Sequence, residues 1–94
     1  MTDAELLVEC KKGLDITQET TAFDGVLNQK LLAVKSYMLG AGVSESTISS
    51  NPLAVGVIVM GVGDLWGTSG GETKFSPAFH TLLTQLTYDS GVTS

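Results

Sequence analysis

Apolar residues recur along this chain with the 3.6-residue period of helices, and Gly-, Ser- and Thr-rich stretches separate the periodic segments. In the first segment Leu6, Leu7, Cys10 and Leu14 fall on one face, which predicts a helix over residues 3–14. Thr2 and Glu5 have capping-box spacing, so each side chain can satisfy an orphan N–H at the helix start. Gly13 marks its end, and residues 15–21 form a polar, threonine-rich connector. The second helix is predicted over 22–39, with Thr21 and Asp24 repeating the capping-box spacing. Phe23, Val26, Leu27, Leu31, Val34 and Met38 make its apolar stripe, Lys30 and Lys35 fall largely off it, and Gly40 and Gly42 stop it.

Residues 43–50 are rich in Ser and Thr without periodicity and read as a loop. Asn51 and Pro52 supply a cap and a first helical residue for the next segment. Residues 53–66 are almost wholly apolar, and two patterns compete there. The β-branched Val55, Val57, Ile58 and Val59 and the glycines at 56, 61 and 63 favour a buried strand. Length and the Asn-Pro start favour a buried helix whose glycines admit a close neighbour, and the helix is preferred. Residues 67–74 (GTSGGETK) read as a flexible loop. Ser76 and Pro77 then open a last helix with Phe79, Leu82, Leu83 and Leu86 on its buried face. From about residue 89 a short polar tail is expected. The fold class is therefore all-α: one domain over 1–94, a small bundle of about four helices with a flexible Gly/Ser loop before the last.

A chain of 94 residues holds one domain, and at this size folding buries only roughly 60–65% of the exposed surface. Charged residues make up 16% of the chain and hydrophobic residues 43%, with a mean hydropathy of +0.25. Soluble domains carry roughly 25% charge, so the shortfall implies surface meant to be covered. The net charge of −5 comes from ten carboxylates and five lysines with no arginine, and only Lys11 and Lys12 adjoin. This argues against phosphate-neutralising recognition of DNA or RNA. The N-terminus shows no basic segment followed by an apolar one, so no signal peptide is expected and synthesis in a reducing cytoplasm follows. The apolar run at 53–62 is too short for a bilayer, which takes about 20 residues.

Candidate chemistry is sparse. The single Cys10 rules out an internal disulfide and reads as a small buried hydrophobe. His80, the only histidine, has no evident nucleophile to serve and reads as a surface residue. No metal-ligand spacing is visible. Gly61, Val62 and Gly63 are followed by Trp66 where a dinucleotide fingerprint wants a third glycine. Asp64 and Glu72 flank the predicted loop and read as solvated charges. Trp66 ends the apolar segment either as a core plug or as an interface anchor. No catalytic, cofactor or metal site emerges, and the chain is not expected to be an enzyme.

The layout resembles a known family. A short helix precedes a long amphipathic helix ending in glycine. A Ser/Thr stretch leads to Asn51, Pro52, Leu53 and an apolar helix ending at Trp66. A loop then leads to Pro77 and the leucine pair Leu82 and Leu83. Together these resemble the small head–tail connector proteins of tailed phages, also called head-completion or DNA-packaging adaptor proteins. The resemblance implies a virion structural protein at the head–tail junction, made in the host cytoplasm. Its subunits would form a ring, dodecameric by family analogy, beneath the portal protein. That ring would extend the DNA tunnel, let DNA pass without specific binding, and receive a stopper or tail-completion protein, with no membrane involved. It also implies that residues 88–94, including Tyr88, Asp89 and Val92, meet the portal. Residues 67–74, including Gly70, Gly71 and Lys74, would meet a neighbouring subunit or the tunnel, and Trp66 and Phe75 beside them are further candidate interface residues. Family members often carry arginine after the aromatic, where this chain has Gly67, Thr68 and Ser69. The alternative reading is a small acidic helical module, antitoxin-like or regulatory, that captures one partner protein.

Overall fold

The computed structural model describes residues 2–66 and 75–93, with side chains as far as residue 90. Among the described residues there are five helices and no strand: α1 (Asp3–Gly13), α2 (Asp24–Gly40), α3 (Glu45–Ser50), α4 (Pro52–Trp66) and α5 (Pro77–Thr93). The all-α class holds, and the helical alternative for 53–66 is the one adopted. The expected loop at 67–74 lies outside the described residues.

The capping box of α1 forms as its spacing predicts. Thr2 Oγ1 accepts from the Glu5 N–H at 3.2 Å, and Glu5 Oε1 accepts from the Thr2 N–H at 2.9 Å. These bonds hold the Glu5 carboxyl below the usual carboxylate range, the bond from the Thr2 backbone first. The helix stops through Asp15, which takes a left-handed φ of 60° while Ile16 N–H reaches Lys11 O at 2.9 Å. That closure is a Schellman motif. Gly13 has a different role, because a Cβ there would lie 2.5 Å from Val59 Cγ1. It lets α1 press against α4. Gly42 closes α2 in the same manner, at φ 106° with Val43 N–H on Met38 O at 3.0 Å.

Three boundaries differ from the sequence pattern. The start of α2 has no side-chain cap: Phe23 occupies the cap position, and Thr21 contributes only its carbonyl, to Asp24 N–H. Residues 45–50 are helical rather than a loop, which raises the count from about four helices to five. Ser44 caps α3 by accepting from Thr47 N–H at 3.2 Å, and Thr47 and Ile48 are buried beneath it. Nor is residue 89 the start of a polar tail, since α5 continues to Thr93. Its Ser90 is buried, donates to Thr47 Oγ1 at 3.0 Å and accepts from Ser44 N–H at 3.1 Å. A hydroxyl knot between α3 and α5 therefore carries the last turns.

Helix α4 is the centre of the fold and touches all four others. Asn51 Oδ1 accepts from Leu53 N–H at 2.9 Å and Pro52 follows, as the Asn-Pro start predicts. Its Ala54, Val57, Ile58, Val62 and Leu65 join Leu6, Cys10, Leu27, Leu31, Val34, Met38, Phe79, Leu83 and Leu86 in one core. At Gly61 the backbone of α4 comes close to Val34 and Phe79. Ser76 caps α5 by accepting from Phe79 N–H at 3.2 Å, and its own N–H donates to Asp64 Oδ2 at 2.9 Å. Asp64 is thus a half-buried link from α4 to the start of α5, not a solvated loop charge. Its would-be partner Glu72 lies outside the described residues.

Candidate interaction surfaces

Polar chemistry is dispersed over this fold. Among the described residues no group of three His, Cys, Asp or Glu is placed to hold a metal ion, and no helix is long and apolar enough to cross a membrane. Cys10 is buried, and burial first, with Glu9 second, pushes its thiol up to about 11. His80 is exposed at the edge of an aromatic group, its ring 5.7 Å from Phe79 and 6.2 Å from Tyr37. An open depression of about 570 Å³ between α1 and the α3–α4 turn is lined by Glu5, Ser49, Ser50, Asn51, Pro52 and Val55.

The surface is notable instead for its apolar residues. Phe23, Val26, Leu32, Tyr37 and Leu39, all at or on α2, are between 41% and 54% exposed, and Tyr88 on α5 is 69% exposed. Helix periodicity sorts the α2 residues. Leu27, Leu31, Val34 and Met38 form the buried row. On one flank Phe23, Val26, Lys30, Ala33 and Tyr37 recur at alternating steps of three and four, a second stripe with heptad spacing. On the other flank Leu32 and Leu39 are seven apart, with Lys35 between them donating to Asp3 Oδ1 at 2.8 Å. Beside Leu39 a notch of about 170 Å³ is lined by Lys35, Glu45, Ile48 and Ser49.

The sequence-predicted interface residues divide over this surface. Trp66, half-buried at the end of α4, meets Phe23 edge to face at 5.5 Å and 86°. Phe75, also half-buried, stacks on Phe79 at 4.2 Å and meets Tyr37 at 4.9 Å. The two therefore flank the opposite ends of the first stripe. Tyr88 stands apart on the outer face of α5, in a shallow groove with Thr81, Thr84 and Gln85. Asp89 Oδ1 accepts from Gln85 Nε2 at 2.9 Å. Val92 falls in the last turn of α5 and its side chain is outside the described residues, as are Gly70, Gly71 and Lys74 entirely.

Sequence reasoning placed Phe23 and Val26 in the core row, whereas both are more than 40% exposed. The spacing of 23, 26, 30, 33 and 37 was the available signal for a separate stripe. Lys11 was also missed as a structural residue. It is 4% exposed, lies 2.7 Å from Asp24 Oδ1, and donates to Thr20 O at 2.9 Å and Gln18 O at 3.4 Å. It thereby ties the α1–α2 connector to the start of α2. No family model, curated protein or solved structure matches this chain.

Proposed function

We propose that this chain is a structural virion protein, an adaptor-ring subunit that sits between the portal and the tail or stopper and extends the DNA tunnel. The observation that carries the reading is the exposed apolar surface. Among the described residues seven large apolar side chains are between 38% and 69% exposed, on a chain with only 16% charged residues. Covering such a surface between subunits recovers burial that so small a core cannot supply. The net charge of −5 supports the tunnel role, since an acidic wall repels phosphate and lets DNA slide without specific binding. The helix order, with Pro52 opening α4, Trp66 closing it and Pro77 opening α5, supports the likeness to head–tail connectors. The portal-facing element in this reading is the end of α5, with Tyr88 outermost.

The test is electron microscopy of particles from a strain lacking the gene. DNA-filled or leaking heads beside separate, normal tails are the expected result. Complete infectious particles would overturn the connector reading and favour the module that captures a single partner.

A further inference from the structure

We propose that copies of this chain join head to tail through the two flanks of α2: Phe23, Val26, Lys30, Ala33 and Tyr37 of one copy seat on Leu32, Leu39 and Glu45 of the next. This rests on the ring-subunit reading and specifies the surface that builds the ring. The two flanks lie on opposite sides of the buried row of α2, so a contact between them uses different patches on the two partners. Such a heterologous contact propagates and closes into a ring when the rotation permits, whereas a two-fold contact stops at a dimer.

Charge selects between these modes. Among the described lysines, Lys11 pairs with Asp24, Lys12 with Glu9 and Lys35 with Asp3, which leaves Lys30 without a carboxylate among the described residues. Lys30 stands at the centre of its stripe, seven residues from Phe23 and seven from Tyr37. A two-fold pairing that overlaps the whole stripe with itself, Phe23 against Tyr37, is centred on Lys30 and would set Lys30 against Lys30. The stripe therefore rejects its own copy and calls for an apolar surface bearing a carboxylate. The opposite flank is such a surface. Its own lysine, Lys35, is already taken up by Asp3, while Glu45 lines the notch beside Leu39 and has no ion-pair partner among the described residues. Two exposed leucines, a concavity and a carboxylate thus complement two aromatics, a valine and a lysine.

The test uses single cysteines at exposed positions, Val26→Cys and Leu39→Cys, with the native Cys10 silent because it is buried. Mild oxidation should leave each variant monomeric alone and give a cross-linked dimer when the two are mixed. The double variant V26C/L39C should give a ladder of oligomers on a non-reducing gel. Adding Lys30→Glu or Glu45→Lys to the double variant should thin the ladder by roughly fivefold or more, and combining the two reversals should restore it. Val26→Cys cross-linking to itself as readily as to Leu39→Cys would overturn the head-to-tail contact. Sedimentation velocity on the unaltered chain separates the levels of failure. Oligomers in sedimentation with no mixture-specific cross-link overturn this interface and leave the ring reading standing. A monomer at every concentration, with no cross-link, overturns this interface and leaves the ring reading to be decided on the assembled particle. Particle morphology in the deletion strain tests the connector role whatever the cross-links show.

Discussion

Gly61 offers a direct measure of how tightly the core is closed. A Cβ added at this position would lie 2.8 Å from Phe79 Cε2 and 2.9 and 3.1 Å from the two Val34 methyls. Carbon atoms in ordinary contact sit about 3.5–4.0 Å apart, so each neighbour must retreat by about half an ångström or more. Neither has room to do so, because Val34 and Phe79 are both fully buried and valine is stiff about χ1. Overpacking of this kind costs about 1–3 kcal/mol. Replacing a helical glycine by alanine returns about 1 kcal/mol of propensity, so Gly61→Ala should be destabilised by about 1 kcal/mol. Gly56 and Gly63 lie in the same helix with nothing within 4 Å of the added Cβ. Gly56→Ala and Gly63→Ala should therefore gain about 1 kcal/mol each. Propensity cancels in the comparison, and the difference of about 2 kcal/mol between G61A and G56A isolates the steric cost. For a domain of this size that is a separation of about 8–16 °C in Tm, easily resolved by thermal melts followed at 222 nm. If G61A proved as stable as G56A, the close approach of α4 to Val34 and Phe79 would be wrong.

Three further perturbations probe the remaining supports. Lys11→Met removes the buried ammonium that holds Thr20 O and faces Asp24, and should cost about 2–4 kcal/mol. In urea denaturation, part of that loss should return in the K11M/D24N double variant, and a coupling near zero would mean that the pair does not organise the connector. Ser90→Ala deprives Ser44 N–H of its acceptor and removes one of the two hydroxyl contacts of Thr47 Oγ1, which keeps Ser44 Oγ at 2.8 Å. It should cost about 1–3 kcal/mol and lower helicity as the end of α5 frays; unchanged circular dichroism and stability would show that α5 does not depend on α3. Cys10 should react with a thiol reagent at neutral pH only as fast as the chain unfolds globally. Its thiol ionises near 9 when unfolded and at about 11 when folded. Deprotonation therefore favours the unfolded chain, and the thiol's contribution is full below about pH 9 and lost as pH rises towards 11. Comparing alkaline melts of the native chain and Cys10→Ala isolates this contribution, and identical profiles would refute it.

Most of the helices were legible because their signals are local. Thr2 with Glu5, Asn51 with Pro52, and Ser76 with Pro77 each mark a helix start through bonds made within a few residues, and all three form. What escaped depends on contacts distant in sequence. The segment ESTISS has little intrinsic preference for a helix and no apolar period, and it becomes α3 because Ile48 enters the core and Thr47 meets Ser90 across 43 residues. The end of α5 looked like a polar tail for the same reason, its anchor being a serine. Gly13 read as a stop signal, yet its lack of a Cβ serves the contact with Val59. The apparent capping pair Thr21 and Asp24 had the right spacing, but Asp24 is engaged by Lys11 instead.

The interface residues were partly legible for a related reason. Period alone assigns an apolar side chain to a face of a helix, but it does not say whether the neighbour on that face is another helix of the same chain. On α2 the apolar residues extend past the arc that α1 and α4 can cover, so Phe23 and Val26 were drawn into a row that turned out to end at Leu27. A wider apolar arc than one core can use is itself informative in a chain so poor in charge. An isolated monomer would gain from polar residues at Leu32, Tyr37 and Leu39, all of them more than 40% exposed. Their retention beside a centrally placed Lys30, which meets no carboxylate among the described residues, is understandable when the surface is meant to be covered, and when what covers it must supply that carboxylate.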